Sequence, residues 1–300
     1  MDSPNEKREF LVSRRARLTP EQAGLPNFGG RRRVAGLRRE EVALIAGISV
    51  EYYTRLERGN ATGMSESVLE GVSRALQLDE VEQAHLHNLV RASATTPKRP
   101  APGRARPVTP GLQQFLDAMK DVPAIIQNGR LDIVATNRLG AALYSELYSD
   151  PQRPVNFGRF VFLDPRAQTF YRDWDGAAVQ TVAILRSAAG RTPHDRQLSN
   201  LVGELATRSD TFRTLWASQV VREHRTGDKL IHHPIVGDLD LTFEGLEPAT
   251  GKGLLLTAYT AKPGTPTQDS LQMLATWAAT NDQAATEQTA RVAIEAPKRN

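Results

Sequence analysis

Between Glu9 and Ala92 the apolar positions recur at helical spacing in short bursts separated by polar gaps. The pattern predicts helices over Glu9 to about Leu18, Arg38–Ala46, Val50–Arg58, Glu66–Leu76 and Glu80–Ala92. Ser49, Ser65 and Asp79 stand where N-caps are wanted, and Asp79 with Glu82 has the spacing of a capping box. Helices this short hold only when packed on one another. The pattern then breaks at Thr95–Pro110, TTPKRPAPGRARPVTP, whose five prolines and near absence of apolar residues predict an extended, semi-rigid linker.

Apolar periodicity resumes at Leu112, Phe115 and Met119 and runs to about Trp277. In AIIQNGRLDIVATN, the runs Ala124–Ile126 and Leu131, Ile133, Ala135 flank Asn128-Gly129, which predicts a hairpin with a type I′ turn. Asn137 caps a helix to about Leu147, and helical spacing returns around Trp174, Ala178, Val182, Leu185 and again around Leu198, Leu201, Val202, Leu205. Strand candidates close the region: Val220–His224, Lys229–His233, the strictly alternating Leu239–Leu246, and Leu254–Ala261, apolar enough for burial on both faces. An early hairpin, a helical middle and a late meander make an α+β domain with one antiparallel sheet. The polar residues from Asn281 to Asn300 predict a frayed tail. The expected organisation is an all-α domain over 1–94, a linker over 95–110, an α+β domain over 111–279 and a disordered tail over 280–300.

Charge and composition narrow the chemistry. Residues 1–106 hold 18 Lys and Arg against 13 Asp and Glu, whereas the rest of the chain holds 20 against 21. The excess positive charge therefore sits on the N-terminal domain, as expected if that domain meets a polyanion. With 0 cysteines, disulfides, thiolate nucleophiles and zinc-cysteine sites are excluded. No apolar run is long enough for a membrane-spanning helix and the N-terminus lacks a secretory pattern, so no membrane partner and a cytoplasmic location are expected.

The segment RREEVALIAGISVEYYTRLERG, Arg38–Gly59, carries the strongest signal. Val42, Ala46, Ile48, Tyr53 and Leu56 are the positions two helices crossing at a tight turn would bury, Ala43 is small where they back together, and Gly47 can take the positive φ that ends the first helix. The second helix then presents Glu51, Thr54, Arg55 and Arg58 as a polar stripe able to enter a major groove. Arg55 suits a guanine edge, Glu51 a cytosine amino group and Thr54 a base or a phosphate, while Arg38, Arg39 and Arg58 are placed for phosphates. Ser49, Val50 and Tyr52 at the helix start complete the candidate DNA-contacting set. A plain surface ion pair between Glu51 and Arg55 is the bland reading of the same spacing.

On these residues the segment resembles the phage-repressor-like, xenobiotic-response-element class of helix-turn-helix, over about Glu9–Ala92. The resemblance implies a five-helix domain and a sequence-specific transcriptional regulator, binding as a homodimer to a double-stranded operator with inverted half-sites. A longer first connection, LTPEQAGLPNFGGRRRVAG, resembles an insertion typical of actinobacterial members. Its Arg31, Arg32 and Arg33 either follow phosphates or a minor groove, or form a merely solvated charge run.

The second domain resembles the PAS-like ligand-binding domain of MmyB-type regulators. The match rests on NRLGAALYSELYS, NFGRFVFLDPRAQTFYRDWDGAAVQTVAILR, HHPIVGDLDLTFEGL and LLLTAYTAKPGTPTQDSLQML, covering about Thr109–Trp277. This implies a cavity between sheet and helices for a small apolar molecule such as a fatty acid, with no other cofactor. Phe160, Phe162, Tyr171, Trp174, Phe243 and Tyr259 are candidates to line it, each equally readable as plain core. Arg138 and Arg172 are candidates to anchor a carboxylate, or else surface ion pairs. His224, His232 and His233 are weighed as a metal cluster and rejected, because adjacent strand residues point to opposite faces. Two other functions compete. An enzyme is disfavoured by the lack of a phosphate-binding glycine loop or nucleophile elbow. A DNA-binding adaptor whose second domain holds a protein partner stays open.

Overall fold

A computed structural model describes residues 3–25, 34, 36–59, 64–94, 108–149, 151–218, 226–249, 251 and 253–295. The first elements are α1 (Ser3–Arg17), α2 (Arg39–Ala46), α3 (Val50–Glu57), α4 (Glu66–Ala75) and α5 (Glu80–Ala94). There follow α6 (Pro110–Ala118), β1 (Ala124–Asn128), β2 (Ile133–Thr136), α7 (Arg138–Leu143), α8 (Ser145–Tyr148), α9 (Phe157–Leu163) and α10 (Ala167–Phe170). The chain closes with α11 (Trp174–Arg191), α12 (Arg196–Arg208), α13 (Asp210–Ala217), β3 (Thr226–His233), β4 (Gly237–Leu246), β5 (Leu254–Ala261) and α14 (Pro266–Glu295). Packing divides it into two units, residues 1–103 with 179–223 and residues 104–178 with 224–300. The expected strand Val220–His224 and the basic triplet Arg31–Arg33 lie outside the described residues.

In the first unit α1–α5 bury one apolar core that includes Phe10, Leu37, Val42, Tyr53, Leu56, Val72 and Leu86. The expected caps form: Ser49 Oγ accepts from the Tyr52 amide at 3.1 Å, Ser65 Oγ from Val68 at 3.4 Å, and Asp79 and Glu82 exchange reciprocal bonds. Gly47 ends α2 at φ 68°, in the left-handed region where a side chain is penalised. The turn from α2 into α3 is therefore specified twice, by a glycine stop and by a serine start. The later part of α11, with α12 and α13, belongs to this unit as well.

The second unit carries one five-stranded antiparallel sheet in the order β2-β1-β5-β4-β3. Strand β5 lies at its centre, which is why Leu256 and Thr257, neighbours facing opposite ways, are both buried. One face packs on α6: Leu116 meets Ala124, Ile126, Leu254 and Leu256, with Leu112 and Met119 alongside. The opposite face carries Ile125, Tyr259, Phe243, Leu241 and Ile231, all buried.

Two local expectations are corrected. The β1–β2 hairpin forms, but its left-handed residue is Leu131 at φ 66°, and Gly129 takes no positive φ, so the turn is not type I′. Asn128 Oδ1 accepts from the amides of Arg130 at 2.9 Å and Asp132 at 3.1 Å, and this side-chain turn displaces the two-residue one. The polar stretch expected to fray is helical as far as Glu295, in keeping with its Ala, Gln and Glu content.

Candidate functional site

The DNA-facing candidates converge on α3. Tyr53 and Leu56 are buried under it, and Glu51, Arg55 and Arg58 are exposed with Thr54 half-buried beside them. The stripe is thus presented by a helix whose other face is locked in the core. Val50 is 40% exposed at its first turn, an apolar surface of the kind that meets a thymine methyl. Ser49 spends its hydroxyl on the N-cap. Tyr52 is half-buried, and the Arg55 guanidinium lies 5.0 Å from its ring centroid, so cation–π contact holds Arg55 along the helix surface.

The flanking arginines divide. Arg38 is exposed; its backbone N–H donates to Glu41 Oε2 at 2.6 Å and its side chain lies 3.6 Å from Glu40. Arg39 is half-exposed and donates through Nε to Glu57 Oε2. Glu57, only 1% exposed, also accepts from Arg15 Nε at 3.2 Å and Nη2 at 2.8 Å. Arg15 in turn gives Nη1 to the Leu37 carbonyl at 2.8 Å. One buried carboxylate thereby ties α1 and α2 to α3. Sequence reading missed this knot, because Arg15 lies 42 residues from Glu57 and helical periodicity assigns faces, not distant partners.

In the second unit, helices α7–α10 bring aromatic rings against the inner sheet face. Tyr144 meets Phe157 at 4.9 Å, Phe170 at 5.9 Å and Tyr259 at 5.6 Å between centroids. Phe160 meets Phe170 at 5.5 Å and Tyr171 at 6.1 Å, and Phe243 lies 6.2 Å from Tyr259. These edge-on and tilted contacts are the preferred geometries of packed rings. Burial pushes the hydroxyls of Tyr144, Tyr171 and Tyr259 well above the ordinary phenol range, so all three stay protonated. A small cleft opens beside Phe160, lined by Leu147, Pro154, Val155, Asn156 and Arg159.

Of the cavity candidates, Phe160, Tyr171, Phe243 and Tyr259 are brought into this group. Phe162 and Trp174 are half-buried and pair with each other at 6.3 Å, the Trp174 indole N–H donating to the Val161 carbonyl at 3.0 Å. Arg138 and Arg172 are exposed, and Arg172 Nη1 meets Asp240 at 2.6 Å and Asp238 at 3.7 Å, which matches its charge at the surface. The cation nearer the rings is one the sequence reading passed over. Lys229 Nζ lies 5.4 Å from the Tyr171 centroid and 5.8 Å from that of Phe243, and desolvation pushes its ammonium down to about 8. The alternation Lys229, Ile231, His233 along β3 was the available signal. His232 is exposed on Asp238 at 2.6 Å, whereas His233 is buried with Nε2 3.0 Å from the Ala142 carbonyl. The two point apart as strand geometry requires, and no metal-binding group of acidic and histidine side chains occurs among the described residues. Nor is any helix among them long and apolar enough to cross a membrane.

Comparison with protein families adds two matches. Residues 108–274 match the model of the MmyB-like transcription regulator ligand binding domain, and residues 28–86 match that of a helix-turn-helix domain. A comparison with curated proteins gives no match.

Proposed function

Since the chain belongs to the MmyB-like transcription regulators and carries their ligand-binding domain behind a helix-turn-helix, we propose that it is a repressor that binds an inverted-repeat operator as a homodimer and is controlled by a small apolar ligand. DNA binding and transcription regulation follow from the two families, which are those of a regulator and not of an enzyme. The observation that carries the reading is α3: N-capped, buried on Tyr53 and Leu56, and presenting Glu51, Thr54, Arg55 and Arg58 outward.

In this reading Arg55 reads a guanine, Glu51 a cytosine amino group and Val50 a thymine methyl, while Arg38 and Arg58 hold phosphates. Arg39 contributes by positioning α3 through Glu57 as much as by its own charge. The ligand enters among the aromatic side chains of the inner sheet face, where Lys229, the cation beside the Tyr171 and Phe243 rings, meets an acidic head group such as that of a fatty acid. Occupation favours whichever arrangement of the regulator fits the ligand better, and DNA affinity changes by that difference.

A second reading has a specific observation behind it. The inner-face rings already pack on one another, and a filled core suits an adaptor that binds a protein partner through its surface. Native mass spectrometry of the purified full chain separates the two. A stoichiometric apolar compound that, on re-addition, shifts DNA affinity supports the repressor reading. A ligand-free chain whose DNA affinity no fatty acid alters overturns ligand control and leaves the adaptor.

A further inference from the structure

Residues 179–217 fall inside the segment matched as ligand-binding domain, yet they pack with the helix-turn-helix unit. Their seat there is built, with charged and aromatic groups that sequence periodicity did not predict. Arg186 on α11 is 2% exposed. Its Nη2 donates to the Trp216 carbonyl and its guanidinium lies 4.1 Å from the Trp216 ring centroid, which binds α13 to α11. Phe212 stacks on Trp216 at 5.5 Å. Glu6 and Glu9 on α1 favour the charge of the same guanidinium, and Arg14 on that helix opposes it.

One turn further along α11 the approach is closer still. A Cβ added at Gly190 would stand 2.7 Å from Cε1 and 2.9 Å from Nδ1 of His85 on α5. His85 is 5% exposed and packs edge-on to Phe10 of α1 at 5.0 Å. From that seat α1 leads to the recognition helix: Arg14 Nε meets Glu82 of α5 at 3.0 Å and Arg15 meets Glu57 of α3 at 2.8 Å.

We propose that the helical segment 179–217 is a built-in clamp on the DNA-binding unit, seated on α5 through Gly190 against His85, and that its docking raises the affinity of α3 for DNA. The control half rests on the reading of α3 as the DNA-contacting helix; the seat does not. A segment that lies within the ligand-binding sequence and packs on the DNA-binding helices is the piece through which one can act on the other.

The test is a double-mutant cycle on Gly190→Ala and His85→Ala in the full chain. It is read by amide hydrogen exchange of α1 and α5, and by affinity for a duplex that the wild type selects from a random pool. An unhindered glycine in a helix gains stability on change to alanine, so the contact predicts the opposite sign. Gly190→Ala lowers the protection of α1 and α5 and weakens duplex binding by at least about fivefold. On the His85→Ala background, where the ring is gone, the same change no longer lowers protection and leaves it equal or raised, as for an unhindered glycine. Unchanged or increased protection in Gly190→Ala, or an equal loss on both backgrounds, overturns the seat. Lost protection with unchanged duplex affinity overturns the control. If the wild type selects no duplex at all, the DNA reading of α3 fails and the control half falls with it, while the exchange measurement still decides the seat.

Discussion

Replacing Glu57 by glutamine removes one negative charge and almost no volume from the point where α1, α2 and α3 meet. The side chain is 1% exposed and receives Arg15, whose own side chain is 14% exposed, and Arg39, which is 48% exposed. Breaking a fully buried ion pair from one side costs about 3–5 kcal/mol, because the remaining charge is stranded. Here only Arg15 is stranded, since water reaches Arg39, which lowers the expectation to about 2–3 kcal/mol. For a unit of this size that corresponds to melting about 5–10 °C lower. Urea titration of the full chain followed by circular dichroism gives the free energy, and a thermal melt gives the shift. A Glu57→Gln chain within about 0.5 kcal/mol of the parent would refute the role assigned to this carboxylate, because that is the range of a neutral surface change.

Other substitutions separate reading from holding. Arg55→Ala is expected to cost about 1–3 kcal/mol on the selected duplex and to relax preference at one base pair, as repeat selection from a random pool would reveal. Arg58→Ala should instead weaken all sequences alike and reduce the slope of log affinity against log salt by about one; an unchanged slope removes Arg58 from the phosphate set. Ser49→Ala, which deletes the α3 cap, should destabilise the chain by about 1 kcal/mol in the same urea titration. His85 is pushed down to about 3 by desolvation and by the nearby Arg186, Arg14 and Arg191. Its unfolded form binds a proton below the ordinary value of 6.5 while the folded form does not, so its contribution is complete above that pH and is lost towards pH 3. Stability should therefore fall by up to about 1.4 kcal/mol per pH unit in that window, and His85→Ala should flatten the slope.

What the sequence made legible was local. The α2–α3 turn could be read because glycine stop, serine cap and buried apolar positions lie within one short window, each with its own physical signature. The hairpin was legible as a hairpin, but its turn depended on two bonds from the Asn128 side chain that outweighed the Asn-Gly signal. The amphipathic pattern of α12 correctly marked Leu198, Leu201, Val202 and Leu205 for burial, but a pattern names a face and not the surface that covers it. For that reason neither the packing of 179–217 with the first unit nor the Glu57 knot was foreseeable from spacing alone. Lys229 was legible in principle, from its parity with Ile231 and His233, but the charge argued for solvent.

The most direct test of DNA recognition through α3 is binding-site selection by the full chain from a random duplex pool, run beside Arg55→Ala. The parent should enrich an inverted repeat with half-sites about one helical turn apart, and the variant should lose one specified base pair per half-site. A parent that enriches nothing, or a variant that enriches the same site with the same stringency, would contradict it.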